Sequence, residues 1–111
     1  MSCTISERDW KVFRELRQVA LERLCEKILA QAQSLIVDPH NSSHQRYLNL
    51  YQLINKRDDD IASGFNDFRR STALLHMGVI HAMGLWRDEE LHQFSQEALQ
   101  ILALYAPVPD A

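Results

Sequence analysis

Glu89 and His92 stand at the Glu-x-x-His spacing that turns both side chains to one face of a helix, the step by which di-iron carboxylate bundles hold their metals. Such a centre needs two of these pairs and two further glutamates from facing helices, and this chain offers one pair on a short helix. His76 and His81 are five residues apart, roughly 140° around a helix, so they do not converge on one ligand. His40 and His44 straddle a loop and a helix start, where a solvated imidazole is the plainer reading. No closely spaced Cys or His pairs suggest a tetrahedral zinc site. Cys3 and Cys25 have no identifiable base partner, and Cys25 reads as a small core residue inside an apolar stripe. The Gly-x-Ser-x-Gly elbow, the glycine-rich phosphate loop and the Gly-Gly-Gln tripeptide of release factors are missing from the sequence. Asp58, Asp59 and Asp60 are consecutive and point about 100° apart on a helix, a solvated face rather than an acid-base pair. No catalytic residue, cofactor or metal ligand is assigned.

One polar feature interrupts the apolar pattern. Between Ile54 and Ile61 the seam of the second helix is filled by Arg57 or Asp58. If the first two helices form an antiparallel hairpin about the Asp38–Ser43 loop, Arg57 and Asp58 fall opposite Glu22, Arg23 and Glu26, with complementary signs. The favoured reading of Arg23, Arg57 and Asp58 is a register-setting ion-pair cluster; a polar pocket for a small ligand is the alternative.

The elements that carry these residues are helical. Three glycines and three prolines punctuate 111 residues, and period-two alternation never persists. Ser6 offers an N-cap hydroxyl with Asp9 at the third helical position. From there an apolar stripe including Phe13, Leu16, Leu24 and Ile28 runs to Ile36–Val37, where Pro39 stops it. At ~1.5 Å per residue this helix is on the order of 45 Å long. Ser42 or Ser43 caps the next stripe, which includes Tyr47, Leu50, Ile54, Ile61, Phe65 and Leu75. One helix from Ser43 to Met83 is expected, with a break near Gly64 as the alternative. Gly84 is a left-handed stop, Asp88 and Ser95 cap two short helices, and Pro107 and Pro109 end the order. The expected fold is all-α: one domain, residues 1–111, built as a long antiparallel helical hairpin with two short C-terminal helices packed back on it.

Composition bounds the partners. The net charge is -3, from 12 Lys and Arg against 15 Asp and Glu, and the signs are interleaved. The local basic features, Arg69–Arg70 and the Arg8, Lys11, Arg14, Arg17 run, are too few for a nucleic-acid footprint. No apolar run approaches the roughly 20 residues of a membrane span, no export signal opens the chain, and the cytoplasm is the expected compartment.

Three segments, Asp9–Arg17, Phe68–Ala73 and Gly84–Leu91, resemble small, uncharacterised bacterial helical proteins. The resemblance implies a bacterial intracellular origin and carries no activity.

Short C-terminal helices reach only half of a 45 Å hairpin, so the loop end should keep an uncovered apolar, tyrosine-rich surface. The sequence therefore points to a non-enzymatic helical interaction or adaptor protein that forms a homodimer, with Tyr47, Leu50 and Tyr51 near the two-fold axis. A further, unidentified protein partner is also compatible with that surface. The runner-up is a small-molecule or metal-dependent activity in a polar pocket at the dimer interface.

Overall fold

The computed structural model describes residues 5–105; Cys3, Pro107 and Pro109 lie outside them. Ser6 accepts a hydrogen bond from the Asp9 amide at 3.1 Å and starts α1, Glu7–Ile36, which runs for 30 residues without a break. The turn after it is held from both ends. Asp38 accepts from the His40 amide and the Asn41 side chain, and Arg46 donates to the Ile36 carbonyl at 2.8 Å, a cation supplied to a helix C-terminus that has none of its own. Ser42 caps α2, Ser43–Phe65. Arg46 meets Ile36 beside the loop and Arg17 donates to the Phe65 carbonyl at the far end, so α1 and α2 form an antiparallel hairpin.

The single long second helix gives way here to the broken alternative. α2 ends at Phe65, Asn66 is extended, and Asp67 sits in the left-handed region with φ 57°. Gly64, Asn66 and Asp67 are all weak helix formers, and the two Asx residues favour local turns. Asp67 secures the turn by accepting from Arg69 at 2.7 Å through its carboxylate and from the Thr72 hydroxyl through its carbonyl. A short 3-10 turn, Arg70–Thr72, then leads into α3, Ala73–Ala82. The break resets the phase of the apolar stripe. Ala73, Met77 and Ile80 are buried, whereas Leu75, expected on the seam, is 56% exposed.

Gly84 at φ 72° stops α3. α4, Asp88–Leu91, starts with Glu90 accepting from the Arg87 amide, and α5, Gln96–Leu102, is capped by Ser95. Among the described residues there is no strand, and no helix is long and apolar enough to cross a membrane. The core gathers at one end, the head, where α1 from Phe13 to Leu24 meets Phe65, Met77, Ile80, Trp86, Phe94 and Leu102. The molecule measures 54 × 25 × 22 Å, and its radius of gyration of 16.6 Å exceeds the ~13 Å of a compact chain near 100 residues. Its long dimension is the hairpin, which projects beyond the head.

Candidate functional site

The projecting half of the hairpin buries little. In α2 only Gly64 and Phe65 are buried, both at the head. Arg46, Leu50, Leu53, Arg57 and Ile61 are half-buried at steps of three and four and form the seam towards α1. Each exposed apolar side chain of α2 directly follows one of these: Tyr47 after Arg46, Tyr51 after Leu50, Ile54 after Leu53, at 64%, 58% and 48% exposure. The same relation holds on α1, where exposed Leu29 follows buried Ile28 and exposed Ile36 follows half-buried Leu35. One position is a rotation of about 100°. In an antiparallel pair, equal rotation in the same sense from the seam brings the side chains of both helices onto one broad face. Leu29, Ile36, Tyr47, Tyr51 and Ile54 therefore form a single apolar surface on the distal hairpin.

The C-terminal helices lie on the other flank. Arg23, one position before the buried Leu24, clamps Glu90 of α4 in a bidentate ion pair, Nη1 to Oε1 at 2.6 Å and Nη2 to Oε2 at 2.9 Å, and also donates to the Leu85 carbonyl at 2.8 Å. The Arg23 hydrogen bond holds the Glu90 carboxyl below the ordinary carboxylate range. Asp9, buried at the first turn of α1, accepts from the Ser95 amide at 2.8 Å and from its hydroxyl at 2.6 Å, and the Trp86 indole donates to the Leu16 carbonyl. A groove of about 470 Å³ opens on this flank, with Leu85, Trp86 and Ala30 among its apolar lining and Arg23, Lys27 and Arg87 among its polar residues. Glu26 lines it as well, and the Lys27 and Arg87 side chains are exposed.

The expected cluster of Arg23, Arg57 and Asp58 is not formed. Arg57 donates to Gln31 and pairs with Asp60 at 3.1 Å, Arg23 is committed to Glu90, and Asp58 is exposed one position off the seam. Helical side chains lean towards their own N-terminus, and in an antiparallel pair this carries Arg57 towards the loop and Gln31, away from Arg23. Leu50 lies on the seam, while Tyr47 and Tyr51 point outward.

The other polar candidates are placed individually. Glu89 and His92 are both exposed, and among the described residues no group of three or more His, Cys, Asp or Glu could hold a metal ion. Arg17 sits 4.2 Å over the Phe68 ring, which stacks on Trp10; Arg70 donates to Glu7 and the Ile5 carbonyl, and Arg69 to Asp67. Those three arginines brace the chain where α2 breaks. Burial lowers the His81 pKa against the opposing pull of Asp88. Sequence reasoning missed Glu90 as the partner of Arg23 and Ser95 as the partner of Asp9; Ser95 was visible as a cap, but nothing in the spacing of either residue links it to α1.

The sequence matches no protein-family profile, no curated protein and no solved structure.

Proposed function

We propose that this chain is a non-enzymatic helical interaction protein that self-associates through the distal face of its hairpin, with Tyr47 and Tyr51 at the centre and Leu50 beneath them. The observation that supports this reading is the contrast within α2: from Ser43 to Ser63 no residue is buried, yet Tyr47, Tyr51 and Ile54 stand in water beside Leu29 and Ile36 of α1. Contiguous apolar patches rich in tyrosine mark interfaces, and a two-layer hairpin leaves such a patch without intramolecular cover. Stacking a second hairpin on it gives a four-helix arrangement with an apolar centre. Sedimentation equilibrium is expected to show a dimer at tens of micromolar, and Tyr51→Glu, an exposed position whose change spares the monomer core, to give monomers. A wild-type monomer throughout that range would refute the reading.

A second reading draws on the groove between α1 and the Gly84–Arg87 turn. Its apolar lining and the exposed Lys27 and Arg87, set against the one carboxylate of Glu26, suit a small organic anion. Native mass spectrometry of the purified protein would reveal a retained ligand, and a ligand-free spectrum with no binding of phenyl phosphate would dismiss it.

A further inference from the structure

The distal face is charged at its ends, and the order of those charges specifies how two copies meet. On α1, Glu22, Leu29 and Ile36 recur every seven residues; on α2, His44, Tyr51 and Asp58 do the same. A seven-residue step returns to nearly the same direction, about 20° short of it, so each trio lies along one line of its helix. Because the helices are antiparallel, Glu22 and Asp58 both fall at the head end of the face, and His44 falls at the loop end, next to His40 in the loop. The face therefore reads, from head to loop, carboxylates, apolar side chains, imidazoles. Tyr51 is midway, seven residues from His44 and seven from Asp58.

Two closed two-fold arrangements can bury this face. With the axis along the helices, the α1 line of one copy lies over the α2 line of the other with both heads at the same end, and carboxylates oppose carboxylates. With the axis in the plane of the face and running across the helices, α1 and α2 each lie antiparallel over their own copies, and the carboxylate end of one meets the imidazole end of the other. Like charges juxtaposed at an interface are strongly disfavoured, whereas an imidazole N–H donates to a carboxylate. Resting on the self-association proposed above, we infer that two copies pair head to tail with the two-fold axis at Tyr51. Asp58 and Glu22 of each copy then face the His44 and His40 end of the other. The C-terminal helices, on the opposite flank of α1, do not obstruct this approach. From His44 to Asp58 the face is ~21 Å long, and two adjacent helices are ~20 Å across, roughly 400 Å² in projection. That is at the lower edge of specific interfaces and sets the expected association in the micromolar range.

Cysteine cross-linking tests the axis. In a Cys3→Ser, Cys25→Ala background, Tyr51→Cys lies on the axis and is expected to form an intermolecular disulfide under mild oxidation, because a residue on a two-fold axis meets itself. His44→Cys and Asp58→Cys lie far from their own copies and are expected to remain monomeric thiols on denaturing gels. Cross-linking at His44→Cys and Asp58→Cys comparable to that at Tyr51→Cys would overturn the head-to-tail arrangement while leaving self-association intact. A charge swap gives a second measurement. Asp58→Lys is expected to weaken the dimer at least tenfold, and adding His44→Glu to restore it to within about threefold of wild type, with circular dichroism unchanged throughout. No weakening by Asp58→Lys, or no rescue by the double variant, would overturn the inference. A wild-type monomer would instead remove the proposed function beneath it.

Discussion

Along α1 the surroundings change from enclosed to half-open. Phe13 and Ala20 are fully buried at the head, Ala32 is the last buried position, and Ile36 is half exposed. The helix geometry is continuous throughout; what differs is the number of elements around it. At the head, α3, α4 and α5 close over α1, and the turn between α3 and α4 supplies Trp86, whose ring meets Phe13 edge-on with centroids 6.2 Å apart. In the distal half only α2 is present. A helix pair buries one narrow line on each partner, so an apolar stripe wider than that line stays wet until something else covers it. The head closes its apolar surface within the chain, whereas the distal hairpin leaves Leu29, Ile36, Tyr47, Tyr51 and Ile54 exposed.

The largest effect that would break this comparison is at its extremes. Phe13→Ala should cost about 3–5 kcal/mol, from lost burial together with a cavity the surrounding rings cannot fill. Leu29→Ala, on the same helix, should cost less than about 0.5 kcal/mol when measured below the concentration of self-association. Urea denaturation of both variants measures the pair, and equal losses would mean that the distal face is covered within the monomer.

An intermediate effect tests what fastens the C-terminal helices to the hairpin. Arg23→Met removes the clamp on Glu90 and the bond to the Leu85 carbonyl, and should cost about 1–2 kcal/mol at neutral pH, since both side chains keep some contact with water. The Glu90 carboxyl is held below its ordinary range chiefly by the Arg23 hydrogen bond. As pH falls, the unfolded chain takes up a proton at Glu90 before the folded chain does. The clamp's contribution is therefore complete above the ordinary carboxylate range and is lost as pH falls through the depressed folded value. The stability gap between wild type and Arg23→Met should narrow in acid to the share of the Leu85 bond; a constant gap would mean that the cost comes from that bond and from packing of the arginine stem.

The starts of α1, α2 and α5, the loop and the stop at Gly84 were legible because each depends on one residue doing one local thing: Ser6, Ser42 and Ser95 accept from amides three residues on. The start of α3 was not, and α4 is capped at Arg87, one residue before the expected Asp88. Tyr47 and Tyr51 were legible as exposed apolar residues at the loop end, whereas Leu50 was expected beside them and lies on the seam, and Leu29 and Ile54 were not expected on that face. The break after Phe65 was harder, because the apolar phase runs through it, and the decision rests on Asp67 accepting a left-handed conformation and on Arg17 reaching the Phe65 carbonyl across the hairpin. The partners of Arg23 and Arg57 were not legible. Choosing between Asp58, Asp60, Gln31 and Glu90 depends on the lean of the side chains and on where α4 docks, neither of which is a property of spacing along one helix.

The smallest expected effect sharpens the comparison by using two glycines. A Cβ at Gly64, on α2, would meet the Met83 Cε at 3.4 Å, an ordinary contact with the end of a flexible chain, whereas one at Gly78, on α3, would lie 2.7 Å from three atoms of the Tyr105 ring. Alanine gains up to about 1 kcal/mol over glycine inside a helix, because the unfolded chain loses freedom. Gly64→Ala should therefore stabilise by a few tenths to about 1 kcal/mol. At Gly78 the same gain is opposed, since the added methyl forces the Tyr105 ring off its seat on α3, and the net change should be a loss of about 1 kcal/mol or less. A double-mutant cycle separates the two terms. In a Tyr105→Ala background the clash is gone, and Gly78→Ala should change sign and stabilise, as at Gly64. If Gly78→Ala destabilises equally with and without the tyrosine ring, the glycine is needed by the helix packing around it, and Tyr105 has no part in holding the last turn of α5 against α3.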